Sequence, residues 1–258
     1  MNKYSIDEKY RYESKTVTKG TQEKYRKDNY YYKINKAGNE GYVEYLVSTV
    51  LRHSTLKADM YVLYEYCTIN GAIGCRSKNF LEKDEQFLTI STLHERVTGK
   101  TNLSDELMLL RTAGERLNYI LKIVEDIGIS ADLYREYMKI MLQLDWLIMN
   151  TDRHVHNYGV IYNNATGEFR TAPIFDNGLS LNTNRNSSNV PCTISGSYED
   201  QIVAFGYPIT PAFKIDYKAL SKDLNRIEEL YGNQRELDIL REQLEKCKNV
   251  LASEGWDS

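Results

Sequence analysis

Asp152, Asn157 five positions later, and Asp176 in an Asp-Asn-Gly turn are the residues of this chain best suited to chemistry. Phosphoryl transfer from ATP needs one carboxylate to receive the proton of the attacking hydroxyl, and further groups to hold magnesium on the phosphates. Magnesium is small and hard, so those groups should be oxygen donors. An amide and a second carboxylate divide that task well. The carboxylate brings a full charge, whereas the amide ligates without repelling phosphate. Either half alone is commonplace, because Asp-Asn-Gly is usually just a turn and loop carboxylates usually satisfy nearby amides. Together and in this order they point to an ATP-dependent kinase, with Asp152 as base, Asn157 and Asp176 as metal ligands, and ATP and Mg2+ as cofactors.

Such a site also needs a cation on the phosphates. Lys33, in the strand-like run Tyr31-Tyr32-Lys33-Ile34-Asn35, is placed like the kinase lysine that contacts the α- and β-phosphates, with Lys24 the weaker candidate. Kinases pair that lysine with a glutamate on the next helix. Glu40 and Glu44 lie four apart and share a helix face, so both remain candidates. Ahead of the lysine strand, Gly20, Thr21 and Gln22 fall where a phosphate-covering loop belongs, although one glycine stands where G-x-G-x-x-G has three. His154 and His156 could suggest a transition-metal site, but no third nitrogen or sulfur ligand lies near them in sequence.

Asn150-x-Asp152-x-His154-x-x-Asn157, followed by Ala172-Pro173-Ile174-Phe175-Asp176-Asn177-Gly178, resembles the catalytic core of HipA-like serine/threonine kinases. That bacterial family is distantly related to eukaryotic protein kinases and includes toxins of toxin–antitoxin pairs. The resemblance is strong from about Asp145 to Leu181 and looser from about Gly20 to Arg52. It implies the roles given above for Asp152, Asn157 and Asp176, a structural task for His154 in the catalytic loop, and a slight preference for Glu40 as the partner of Lys33. It further implies transfer to Ser or Thr of a protein substrate, and brings an antitoxin-type partner into view. Full-length HipA toxins carry an extra N-terminal subdomain; a chain of this length is not expected to include it, which puts that mode of docking in doubt. Two alternatives stay open: a small-molecule phosphotransferase of the aminoglycoside-kinase type, and a catalytically silent kinase-like binding module.

Composition sets the outer bounds. The 258 residues, 41% hydrophobic and 27% charged, describe an ordinary globular protein of one large or two-lobed unit. A formal net charge of -3 gives no reason to expect nucleic acid as partner. No run approaches the roughly 20 apolar residues that cross a bilayer, and the N-terminus lacks a secretory apolar core. A cytoplasmic location is the expectation. The four cysteines are scattered, without zinc spacing, and read as reduced thiols.

The expected fold is α+β and two-lobed like a protein kinase, with a sheet-rich lobe over residues 1–95 and a mostly helical lobe over 96–258. In the first lobe, strands at 29–35 and 60–67 flank a helix starting near Glu40, whose Val43, Leu46, Val47 and Val50 repeat at helical spacing. In the second, one helix runs from an N-cap at Ser104 to Gly128, and another from Ser130 to about Met149. The latter delivers the catalytic loop. A hairpin over Val160–Tyr162 and Phe169–Thr171 returns the chain to Asp176. Two further helices, near 217–231 and 234–252, brace the lobe. The adenine-contacting segment is expected at Phe87 to Glu95, and the polar loop carrying Thr183, Ser187, Ser188, Thr193 and Ser195 occupies activation-segment territory, with autophosphorylation there an expectation.

Overall fold

The structure is a computed structural model that describes residues 1–12, 22–36, 38–182 and 210–251. Gly20, Thr21, the Thr183–Ser195 loop and Cys192 lie outside the described residues.

Among the described residues, five strands form the N-terminal sheet: β1 (Asn2–Tyr4), β2 (Lys24–Lys27), β3 (Tyr30–Ile34), β4 (Tyr64–Ile69) and β5 (Ala72–Lys78), in the order β1-β4-β5-β3-β2. The Tyr30-Tyr31-Tyr32 run builds β3, as suits bulky aromatics on a pleated surface. Asn70 and Gly71 both take positive φ, at 50° and 85°, which is the geometry of a tight turn between β4 and β5. The strand expected from Met60 starts only at Tyr64, because Ala58–Met60 wind into a single 3-10 turn. β1 is short and polar, yet it pairs in parallel with β4, Asn2 opposite Cys67.

Helix α1 (Glu40–Arg52) buries Val43, Leu46, Val47 and Val50 completely, as their spacing predicts. Gly41 brings it against the sheet, and Gly74 lets β5 lie close to β3 at that point. A Cβ on Gly41 would stand 2.6 Å from the Gly74 carbonyl carbon, and one on Gly74 would stand 2.1 Å from the Lys33 carbonyl oxygen. Only hydrogen fits at either position, so the first turn of α1 rides close over β5 and beside Lys33.

A second sheet has the order β6-β7-β8, formed by β6 (Glu85–Thr89), β7 (Gly159–Asn163) and β8 (Phe169–Thr171). The last two are the expected hairpin. Since β6 pairs with β7, the change from one sheet to the other falls at 79–84, ahead of residue 95. Around this sheet stand α2 (Ile90–Thr98), α3 (Leu103–Leu109), α4 (Ala113–Asp126), α5 (Ala131–Ile148), α6 (Tyr217–Tyr231) and α7 (Arg235–Leu251). The single helix expected from Ser104 to Gly128 is therefore two. Thr112 caps the Glu115 amide while the Glu115 side chain returns to the Thr112 amide, a reciprocal pair that starts α4 afresh. Ser130 caps α5 as expected, accepting from the Leu133 amide. No described helix is long and apolar enough to cross a membrane.

The two parts are fastened along one flank by main-chain hydrogen bonds. Val62 donates to the Ile174 carbonyl at 2.9 Å, and Ile174 donates to Met60 at 2.8 Å. Nearby, Asp216 donates to the His53 carbonyl at 2.8 Å, and His53 Nε2 meets the Asp223 carboxylate at 2.8 Å.

Candidate active site

The loop after α5 is built around its own polar side chains. Met149 ends the helix in the left-handed conformation, φ 54°. Asn150 Nδ2 then donates to Asp145 Oδ1 at 3.0 Å, and its Oδ1 accepts the Asp152 amide at 2.9 Å. The Asp152 carbonyl accepts from the His154 amide at 2.8 Å and from Asn157 Nδ2 at 3.1 Å. Asp152 and Asn157 are thus joined directly. His154, half-buried, accepts the His156 amide on Nδ1 at 3.3 Å, which places it inside the loop's own bonding.

Arg153, which sequence reasoning left without a role, is the centre of this region. It is 1% exposed and pairs with the equally buried Asp145 at 2.9 Å. It also donates to the Phe175 carbonyl and to Asn177 Oδ1, both at 2.6 Å, and more distantly to the Asn157 carbonyl at 3.4 Å. One guanidinium therefore joins the loop of Asp152 to the turn of Asp176. A signal for it existed: Asp145 interrupts the apolar stripe of α5, and a buried acid requires a buried partner.

Asp176 itself adopts positive φ, 59°, whereas Gly178 does not. In this Asp-Asn-Gly turn the left-handed residue is thus the aspartate and not the glycine. Gly178 is small for another reason, since its Cβ would lie 3.1 Å from Glu40 Cβ and 3.5 Å from Glu44 Cγ. Lys33 Nζ sits 2.6 Å from Asp176 Oδ1 and 3.6 Å from Glu44 Oε1. Glu44 accepts the Asn177 amide on its other oxygen at 3.1 Å. Glu40, at the first helical position, folds back onto amides ahead of the helix, those of Lys36 at 3.3 Å and Gly38 at 3.2 Å. Of the two candidates it is Glu44, one turn further on, that reaches Lys33.

The charges shift one another strongly. Burial, reinforced by the charge of Asp176, pushes the Asp152 carboxyl up to about 6. Residue types and spacing alone do not anticipate this shift. Burial also raises Glu44 to about 7 despite Lys33. Burial works to raise Asp176 as well, but Lys33 and Lys24 outweigh it and hold that carboxylate well below its usual range. Burial and the neighbouring Lys33 lower Lys24, which stands opposite Lys33 in the β2–β3 register. Burial keeps His154 below the usual imidazole range, favouring its neutral form.

Some of these residues border a cleft of about 400 Å3 between the two sheets, a volume within the range of small-ligand sites; Asp152, His154, Glu40 and Glu44 are not among its lining residues. Its polar end carries Lys24, Lys33, Asn157 and Asp176. Its apolar end carries Phe80, Phe87 and Phe175, whose rings pack with centroids 5.3 to 5.9 Å apart. Phe87, Thr89 and Thr92 of the segment expected to meet adenine do line the cleft, as do Phe80 and Leu81 of the crossing ahead of it. Gln22 is not among the lining residues. Asn157 and Asp176 both line the cleft and offer an amide and a carboxylate oxygen, donors that fit magnesium.

Neither a protein-family model nor a curated protein matches the chain. Among solved structures, the crystal structure of a Helicobacter pylori proinflammatory kinase, CtkA, is similar, with a TM-score of 0.56 at 15% identity. The match covers 89% of this chain and 88% of that one. The chain has a protein-kinase-like α+β fold, sheet-rich in its N-terminal part and helical in its C-terminal part.

Proposed function

We propose that this chain is an ATP-dependent, magnesium-using kinase that phosphorylates Ser or Thr hydroxyls of a protein, in the manner of the HipA-like family it resembles. The observation that carries the reading is the meeting of Lys33, Asn157 and Asp176 in the lining of a single cleft, with Glu44 beside Lys33 and the Asp152 carbonyl bonded to Asn157. Residues from four separate stretches of sequence converge there, and a chance turn or surface lysine would not recruit the others.

In this reading Lys33, held by Glu44, contacts the phosphates, and Lys24 adds a second positive charge from the neighbouring strand. Asn157 and Asp176 would hold magnesium, which when bound neutralises charge on the β- and γ-phosphates. The phenylalanine-lined end takes the flat base. The acceptor oxygen forms its bond to the γ-phosphorus as the bond to the β–γ bridging oxygen breaks, ADP leaves, and the hydroxyl proton passes to Asp152 late in a loose transition state. With its carboxyl near 6, Asp152 is mostly ionised at neutral pH and able to accept that proton.

The test is incubation with γ-radiolabelled ATP, MgCl2 and a cell lysate, comparing wild type with Asp152→Asn. Label should enter protein as phosphoserine or phosphothreonine with wild type only, while both forms bind ATP. Label confined to small molecules would assign a small-molecule phosphotransferase instead. Bound ATP without transfer to anything would leave a silent binding module.

A further inference from the structure

Tyr64 touches both halves of the proposed nucleotide site, although nothing in the sequence marked it. Its hydroxyl oxygen accepts the backbone N–H of Asp176 at 3.3 Å. Its ring lies under Lys33, with Nζ 5.2 Å from the centroid, close enough for cation–π attraction. The residue is 5% exposed and lines the cleft. Its own amide donates to Ser48 Oγ of α1 at 2.8 Å, and the adjoining Val62 amide is bonded to Ile174. The tyrosine is therefore fixed from two sides.

What it holds is an unusual backbone. Asp176 is a non-glycine residue at φ 59°, a conformation that persists only where surrounding structure over-determines it. The Tyr64 hydroxyl bonds the amide of that same residue. Resting on the nucleotide-and-magnesium reading above, we infer that Tyr64 is a positioning residue for the cation-binding turn. Its hydroxyl keeps Asp176 in the left-handed conformation that sets the carboxylate in the cleft, and its ring keeps Lys33 between Asp176 and Glu44. The two parts of the side chain serve different ligands, the hydroxyl the metal and the ring the phosphates.

That division gives the experiment. ATP binding is measured by calorimetry across a MgCl2 series and in EDTA, on the full chain, alongside its melting temperature. Tyr64→Phe removes only the hydroxyl. It should raise the MgCl2 concentration for half-maximal binding about fivefold, the worth of one hydrogen bond, and leave affinity in EDTA close to wild type. Tyr64→Leu, which removes the ring too, should also weaken binding in EDTA. A Tyr64→Phe titration that superimposes on wild type overturns the inference, as does an equal loss with and without magnesium. If the wild-type chain itself binds no ATP at any MgCl2 concentration, the nucleotide reading fails first, a result distinguishable from failure of the role of Tyr64 alone.

Discussion

Replacing Arg153 by methionine should unfold the site from beneath. The guanidinium is completely enclosed and pairs with Asp145, which is 1% exposed. Methionine fills a similar space but leaves that carboxylate buried without its counter-ion. Breaking a buried pair from one side costs about 3–5 kcal/mol. For a domain of this size each kcal/mol shifts the midpoint by about 2–4 °C, so the melting temperature should fall by roughly 6–20 °C. Circular dichroism melts and urea titrations would read this. A second variant separates charge from shape: Arg153→Met combined with Asp145→Leu should recover most of the stability, because apolar replacement of a whole buried pair is often neutral. It should not recover phosphorylation, since the bonds to Phe175 and Asn177 stay lost. A single variant within about 1 kcal/mol of wild type, or a double variant no better than the single, would refute the view that this ion pair joins the two loops.

Activity should follow the ionisation of Asp152, rising as pH climbs through about 6; an ascending limb near pH 4 in kcat/KM would contradict its burial. Glu44 is raised from 4.5 to about 7, so between those values the folded chain keeps a proton that the unfolded chain has released. Stability therefore falls as pH rises through that window, and Glu44→Gln should remove this contribution in denaturation curves at pH 5 and 8. Asp176→Ala should abolish the magnesium dependence of ATP affinity, and unchanged affinity in calorimetry would remove Asp176 as a ligand. Glu44→Gln should weaken ATP binding while Glu40→Gln leaves it near wild type; the reverse order would return the Lys33 pairing to Glu40.

Much of the architecture could be read from pattern. The tyrosine run of β3, the valine–leucine stripe of α1, the Ser130 cap of α5 and the hairpin after the catalytic loop each carry a local signal, and each forms in the structure. Asp152, Asn157 and Asp176 stood out because their types are chemically unusual in that order. Other features have no local signature. The parallel pairing of β1 with β4 joins residues far apart in sequence. The break between α3 and α4 does carry one, the Thr112-x-x-Glu115 capping pair, but it lies inside an apolar stripe that reads as continuous. Tyr64 acts through contacts with distant groups that no spacing rule reveals, and Arg153 is signalled only indirectly, by the acid at Asp145 in the stripe of α5. The choice of Glu44 over Glu40 needed the third dimension as well, since both occupy one helix face and only the direction of the carboxylate separates them.

The main-chain bonds between Met60, Val62 and Ile174 limit how a ligand can come and go. Together with the contacts of His53 to Asp216 and Asp223, they sew one margin of the molecule shut. Admission is then left to the opposite margin, where β2 forms the outer strand of the described sheet. Lys33 is bonded into that sheet on both sides, by β2 and by β5, and so keeps its place against Asp176. An incoming triphosphate would meet a cation already set in position.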